Sequence, residues 1–101
     1  MANYQLSKDA ENDLRHIANY TVNKWGKKQL EKYRFTLKSS FEKIGSREVV
    51  PRSYSKNLPN IFFIQAGEHF VFYIENIKTR PIIIAILHKS QDLVMHMLDR
   101  I

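Results

Sequence analysis

Apolar residues recur along this chain in two different periods, and the switch between them divides it into a helical half and a strand half. Asn3-Tyr4-Gln5-Leu6 alternates polar and apolar residues and predicts a short strand. Ser7 follows as a helix N-cap, with Asp9 and Glu11 in the first turn, where negative charge suits the helix dipole. Ala10, Leu14, Ile17, Ala18, Val22 and Trp25 then repeat at helical spacing as one stripe, and Gly26 can adopt the left-handed conformation that ends a helix. A second stripe, Leu30, Tyr33, Leu37, Phe41 and Ile44, runs on to Gly45. So short a connection predicts an antiparallel helical hairpin. Phe35 falls on the opposite side of the second helix, among Lys28, Glu31, Lys32 and Lys38. It is either an ordinary exposed aromatic or a contact for a partner.

From Ser46 to Asn60 the apolar period lapses, and Pro51, Pro59 and scattered serines and charges predict an irregular surface loop. Period-two patterns then predict three strands in a meander, Ile61 to Gln65, His69 to Glu75 and Pro81 to Leu87. A tight turn at Ala66-Gly67-Glu68 and a polar loop from Asn76 to Arg80 separate them. On the middle strand Phe70, Phe72 and Ile74 share one face, and His69, Val71, Tyr73 and Glu75 the other. Ile82 to Leu87 is an unbroken apolar run with four β-branched residues, too apolar for a sheet with one wet face. The helical hairpin covers one side of it. The other falls to a partner protein or to the chain's own end, where Leu93, Val94, Met95, Met97, Leu98 and Ile101 suit a short helix or a strand-like tail. The expected architecture is α+β in the order β-α-α-β-β-β, one mainly antiparallel sheet under a two-helix hairpin.

A chain of 101 residues is one domain by size. It contains no cysteine, no apolar h-region at its N-terminus and no apolar run of the ~18 residues that span a bilayer, so a cytoplasmic protein with no membrane contact is expected. The formal charge is +6, and the stretch from Lys24 to Lys43 holds seven basic residues against two acidic ones. That surplus favours an anionic partner, although a solvated helix face would show it too. No two of the histidines His16, His69, His88 and His96 have metal-ligand spacing, and no phosphate loop or nucleophile motif is present, so neither metal nor cofactor is expected. His88 emerges from the apolar strand into Lys89-Ser90, where an imidazole can act as a general acid or base. As a ribonuclease site it would need Lys89, Arg52 and Lys56 as cations over a phosphate. The plainer role is a strand-end histidine bonded to backbone.

Five landmarks in this order and spacing resemble those of the ParE toxins of the RelE/ParE toxin-antitoxin superfamily: Leu6-Ser7, Asp13-Leu14, Lys24-Trp25-Gly26, Gly67-x-His69-x-Val71-Phe72-Tyr73, and Ile86-Leu87-His88-Lys89-Ser90-x-Asp92. The resemblance implies a small bacterial toxin that inhibits DNA gyrase by protein-protein binding and is neutralised by a ParD-like antitoxin in a hetero-oligomer. It implies no sequence-specific contact with nucleic acid by the toxin alone. RelE-type relatives on the same scaffold cleave messenger RNA in the ribosome, which is the alternative. Two departures weigh against that alternative: Asn60-Ile61-Phe62 stands where relatives usually read Gly-Tyr-Arg, and Ala85 where they usually have Arg. Both delete a cation from the sheet. The expected target contacts are Lys28, Lys32, Phe35, Lys38, His88, Lys89 and Ser90. The expected antitoxin contacts are Leu14, Trp25, Tyr33, Phe62, Phe72 and Ile84.

Overall fold

The computed structural model describes residues 2–76 and 78–101. Its elements are β1 (Gln5–Leu6), α1 (Lys8–Trp25), α2 (Lys27–Gly45), β2 (Arg52–Ser55), β3 (Leu58–Ala66), β4 (His69–Ile74), β5 (Ile82–His88) and α3 (Leu93–Leu98). Ser7 caps α1 as its chemistry predicts, its hydroxyl accepting from the Ala10 N–H at 3.1 Å. Gly26 alone joins the two long helices, at φ +88°, a conformation that side chains rarely adopt. The predicted loop from Asn76 to Arg80 includes Ile77, which lies outside the described residues.

The five strands form one sheet in the order β1-β5-β4-β3-β2, with β1 parallel to β5 and every other pair antiparallel. The predicted surface loop from Ser46 to Asn60 is therefore corrected. Arg52–Ser55 is an edge strand, and β3 begins three residues earlier than its apolar pattern, at Leu58. Arg52 pairs with Phe63 and Ser53 with Phe62. A four-residue edge strand whose first two side chains are exposed and whose single ring, Tyr54, is half-buried against Phe72 is too short to imprint a hydrophobic period, so its backbone is recruited by β3 without a sequence signal.

Each face of the sheet has its own core. On one, Ala10, Leu37, Phe41 and Ile44 of the helices pack on Ala66, Val71, Tyr73, Ile83 and Ile86. On the other, Ile61, Phe72, Ile84, Ala85 and Leu87 enclose Met97 of α3, which has no exposed surface. The chain's own C-terminal helix thus takes the covering role, and the tail is helical. Phe63 sets this second face in order: it stacks on Phe72 at 5.2 Å, meets Phe70 edge-on at 5.5 Å and receives the Arg52 guanidinium at 5.8 Å.

A bulge in β5 reconciles the two faces. Phe72 pairs with Ala85 and Tyr73 with Ile83, leaving Ile84 as the extra residue. Ile84 and Ala85 consequently share the α3 face, while Ile83 and Ile86 on either side face the helices. A strict alternation cannot do this.

β1 is only two residues long and pairs with Ile82 and Ile83, so beyond Ile83 this edge of β5 has no strand beside it. Asp13 and Arg100 take its place. The Asp13 carboxylate accepts the Ile86 N–H at 2.9 Å, and the Arg100 guanidinium donates to the Ile84 carbonyl at 3.2 Å. The two side chains join each other in a bidentate pair at 2.5 and 2.9 Å, and both are largely buried, with 12% and 15% of the side chain exposed. Asp13→Ala leaves the Ile86 N–H without a partner and the buried guanidinium with the Ile84 carbonyl alone, and should cost about 3 kcal/mol in urea unfolding, with Asp13→Asn costing clearly less because its carbonyl still accepts one of the three bonds.

Candidate functional site

The α2 end of the β3–β4 turn carries the densest cluster of titratable groups. Register places His69 of β4 directly across from His88 of β5, with the rings edge-to-face at 5.3 Å. Tyr33 of α2 reaches over the turn. Its hydroxyl oxygen accepts the Glu68 N–H at 3.0 Å and lies 2.5 Å from Nδ1 of His69 and 3.3 Å from the Ala66 carbonyl. This approach needs Gly67: a Cβ there would sit 2.7 Å from the Tyr33 ring, and φ is +60°.

His88 is fixed by its own loop. The Ser90 N–H donates to its Nδ1 at 3.1 Å and the Ser90 hydroxyl lies 2.7 Å from the same atom, so Nδ1 is an acceptor and the proton sits on Nε2. The His88 N–H in turn donates to the Gln91 side chain at 2.7 Å. Lys89 pairs with Glu68 at 2.9 Å, and that bond holds the Glu68 carboxyl below its usual range. Burial first, and the neighbouring His88 second, push His69 down to about 4, while Glu68 and Asp13 act in the opposite sense. Burial also raises the Tyr33 phenol. Tyr33 and His69 therefore form a neutral, hydrogen-bonding surface at neutral pH. It faces a cleft of 570 Å³ bounded on the helical side by His16, Tyr20, Trp25 and Gln29.

The expected ribonuclease set does not assemble. His88 stands beside His69 and Tyr33 on the helical face with Lys89 paired to Glu68 after it, whereas Arg52 lies on Phe63 on the α3 face and three strands away, roughly 14 Å at the usual strand spacing. Lys56 follows β2 into the turn at Asn57, with Ser55 paired to Leu58. The two departures from the superfamily pattern fall in packed positions: Ala85 is buried opposite Phe72, and Phe62 packs on the Tyr73 ring at 6.1 Å.

The expected partner residues separate into three places. Lys28, Lys32, Phe35 and Lys38 share one stripe of α2, and Phe35 is 74% exposed. Leu14 and Tyr33 line a 350 Å³ groove on the helical hairpin, apolar along Leu30, Leu37 and Phe41 and edged by Arg15, Arg34 and Lys38. Trp25 stands apart at the histidine cleft. Phe72 and Ile84, expected at a partner surface, are instead enclosed under α3, and Phe62 is half-buried against the helical core. The cluster of Tyr33 with both histidines had no signal along the chain, because it depends on the β4–β5 register; Asp13 with Arg100 had none for the same reason.

This fold defines a class: a basic α+β domain whose sheet carries a helical hairpin on one face and a short C-terminal helix on the other. The family model described as "ParE toxin of type II toxin-antitoxin system, parDE" matches residues 4–93. Toxin ParE of Escherichia coli is 30% identical over 101 residues, covering all of this chain and 98% of that protein. The chain belongs to the ParE toxin family of type II toxin-antitoxin systems. None of its described helices is long and apolar enough to cross a membrane.

The neutrality of His69 has a measurable consequence. An unfolded histidine titrates near 6.5, and the folded one near 4, so its stabilising contribution is complete above pH 6.5 and is lost as pH falls from 6.5 towards 4. Discounted for its partial exposure, the loss should be about 1–2 kcal/mol between pH 7 and pH 4.5. Urea unfolding at the two pH values should show His69→Gln falling by that much less than the wild type.

Proposed function

We propose that this toxin inhibits DNA gyrase by protein-protein contact, with no reaction of its own, and that a ParD-like antitoxin neutralises it by filling the hairpin groove. Membership of the ParE family supports the target, and one geometric observation supports binding over catalysis: Arg52, on the Phe63 ring, stands on the sheet face opposite His88 and three strands from it. Without convergent cations, little stabilises charge developing on a scissile phosphate. His88 is tied through Nδ1 to Ser90 and has Lys89, itself paired with Glu68, as its neighbour.

The target surface we assign is the exposed stripe of α2, in which Phe35 supplies an aromatic anchor among Lys28, Lys32 and Lys38. The strand end from His88 to Ser90 is a second contact. The antitoxin would lie in the hairpin groove, whose apolar floor and rim of Arg15, Arg34 and Lys38 match an amphipathic segment with acidic flanks. A soluble, cytoplasmic toxin-antitoxin complex is the form this reading implies.

Purified toxin at micromolar concentration should block gyrase supercoiling or trap cleaved DNA. Normal supercoiling without a trapped complex would overturn the reading. Phe35→Ala should weaken inhibition about ten-fold, and message should stay intact in cells arrested by the wild type; message cleaved by the wild type and left intact by His88→Ala would point to RNA cleavage instead. Arg15→Glu with Arg34→Glu should weaken antitoxin binding by about ten-fold, mostly through a slower on-rate at low salt.

A further inference from the structure

Tyr20 and Trp25 lie near the C-terminal end of α1 and belong to neither core: 59% and 62% of their surface is exposed. Burial does not account for two large aromatics at one site. Between them in sequence, Lys24 places its ammonium 5.4 Å from the Tyr20 ring centroid and 5.6 Å from that of Trp25, and donates to the Tyr20 hydroxyl at 3.0 Å. Lys27 and Lys28, also exposed, follow directly at the start of α2. These aromatics form one wall of the 570 Å³ cleft, whose size is that of a small-ligand site. The facing wall is made of Glu68, His69, His88, Ser90 and Gln91.

We propose that this cleft binds single-stranded nucleic acid, one base stacking on Trp25 and Tyr20 with its phosphates towards Lys24, Lys27 and Lys28. Aromatic platforms beside cations are how proteins hold unpaired strands without reading their sequence, because every base has a π-face and every nucleotide a phosphate. The facing wall suits the polar edge of a base. Burial keeps the His69 imidazole neutral at neutral pH, the His88 Nδ1 accepts the Ser90 N–H, and a hydroxyl and an amide complete a set of short-range donors and acceptors. Glu68, the one carboxylate in this wall, is engaged by Lys89. An acidic peptide would satisfy the lysines, leave the aromatics and the hydrogen-bonding wall unused, and meet the Glu68 carboxylate. A duplex hides the faces of its bases. Contact of this kind does not depend on gyrase being the target, so either reading can fail alone.

Trp25 is the single tryptophan, so its fluorescence reports the site directly. Titration of the full-length chain with dT and rU oligomers of about eight nucleotides should quench Trp25 and weaken as salt rises. Tighter binding of either oligomer supports the proposal and names the sugar it prefers. By anisotropy of a labelled oligomer, Trp25→Ala and Tyr20→Ala should each weaken binding about ten-fold or more, with Trp25→Phe recovering part of the loss and circular dichroism unchanged. The proposal is overturned by absent quenching at ~50 mM salt, by affinities that the alanine variants leave unchanged, or by equal quenching with duplex DNA or polyglutamate.

Discussion

Strand β5 is the member on which the rest of this structure depends, and its exposed edge is the problem the fold has to solve. It lies between β1 and β4, holds both cores through its bulge at Ile84, and ends at His88. Yet β1 accompanies it for two residues only. An unpaired edge in the middle of a buried strand would leave backbone groups without partners or invite another chain to pair with it. Asp13 and Arg100 close it from opposite ends of the sequence, one from the first helix and one from the last residues. The same pair ties the C-terminal segment to α1, which keeps Met97 over the second face.

The elements with a strong period were readable from the chain: both helices, the cap at Ser7, the single-residue link at Gly26 and the buried character of Ile82 to Leu87. Other features had no such signature. β2 is polar and at an edge, so it is held by backbone pairing that leaves no apolar pattern. The bulge puts Ile84 and Ala85 on one face, which a six-residue apolar run cannot reveal because every position is already hydrophobic. Arg100 and Asp13 are 87 residues apart, and only tertiary structure brings them together. The cluster around His88 was half legible: its bond to the Ser90 backbone agrees with the plainer role, whereas His69 and Tyr33 join it only through register and the turn at Gly67.

These constraints place the molecule's surfaces side by side. The cores occupy both faces of the sheet, leaving the α2 stripe at Phe35, the hairpin groove at Leu14 and the cleft at Trp25 as neighbouring regions, with Lys38 common to the first two and Tyr33 to the last two. The cleavage chemistry associated with the superfamily would need cations gathered at one point. Here Arg52 is spent on the Phe63 ring, Lys89 on Glu68, and Arg100 on Asp13.

If the Asp13–Arg100 pair closes β5, the Ile86 amide is a ladder-like hydrogen bond held by a side chain. Native-state hydrogen exchange of that single amide is the most direct test. It should exchange as slowly as the neighbouring amides of β5 in the wild type and become the fastest of them in Asp13→Ala. Rapid exchange of the Ile86 amide in the wild-type protein, with Leu87 still protected, would contradict the account.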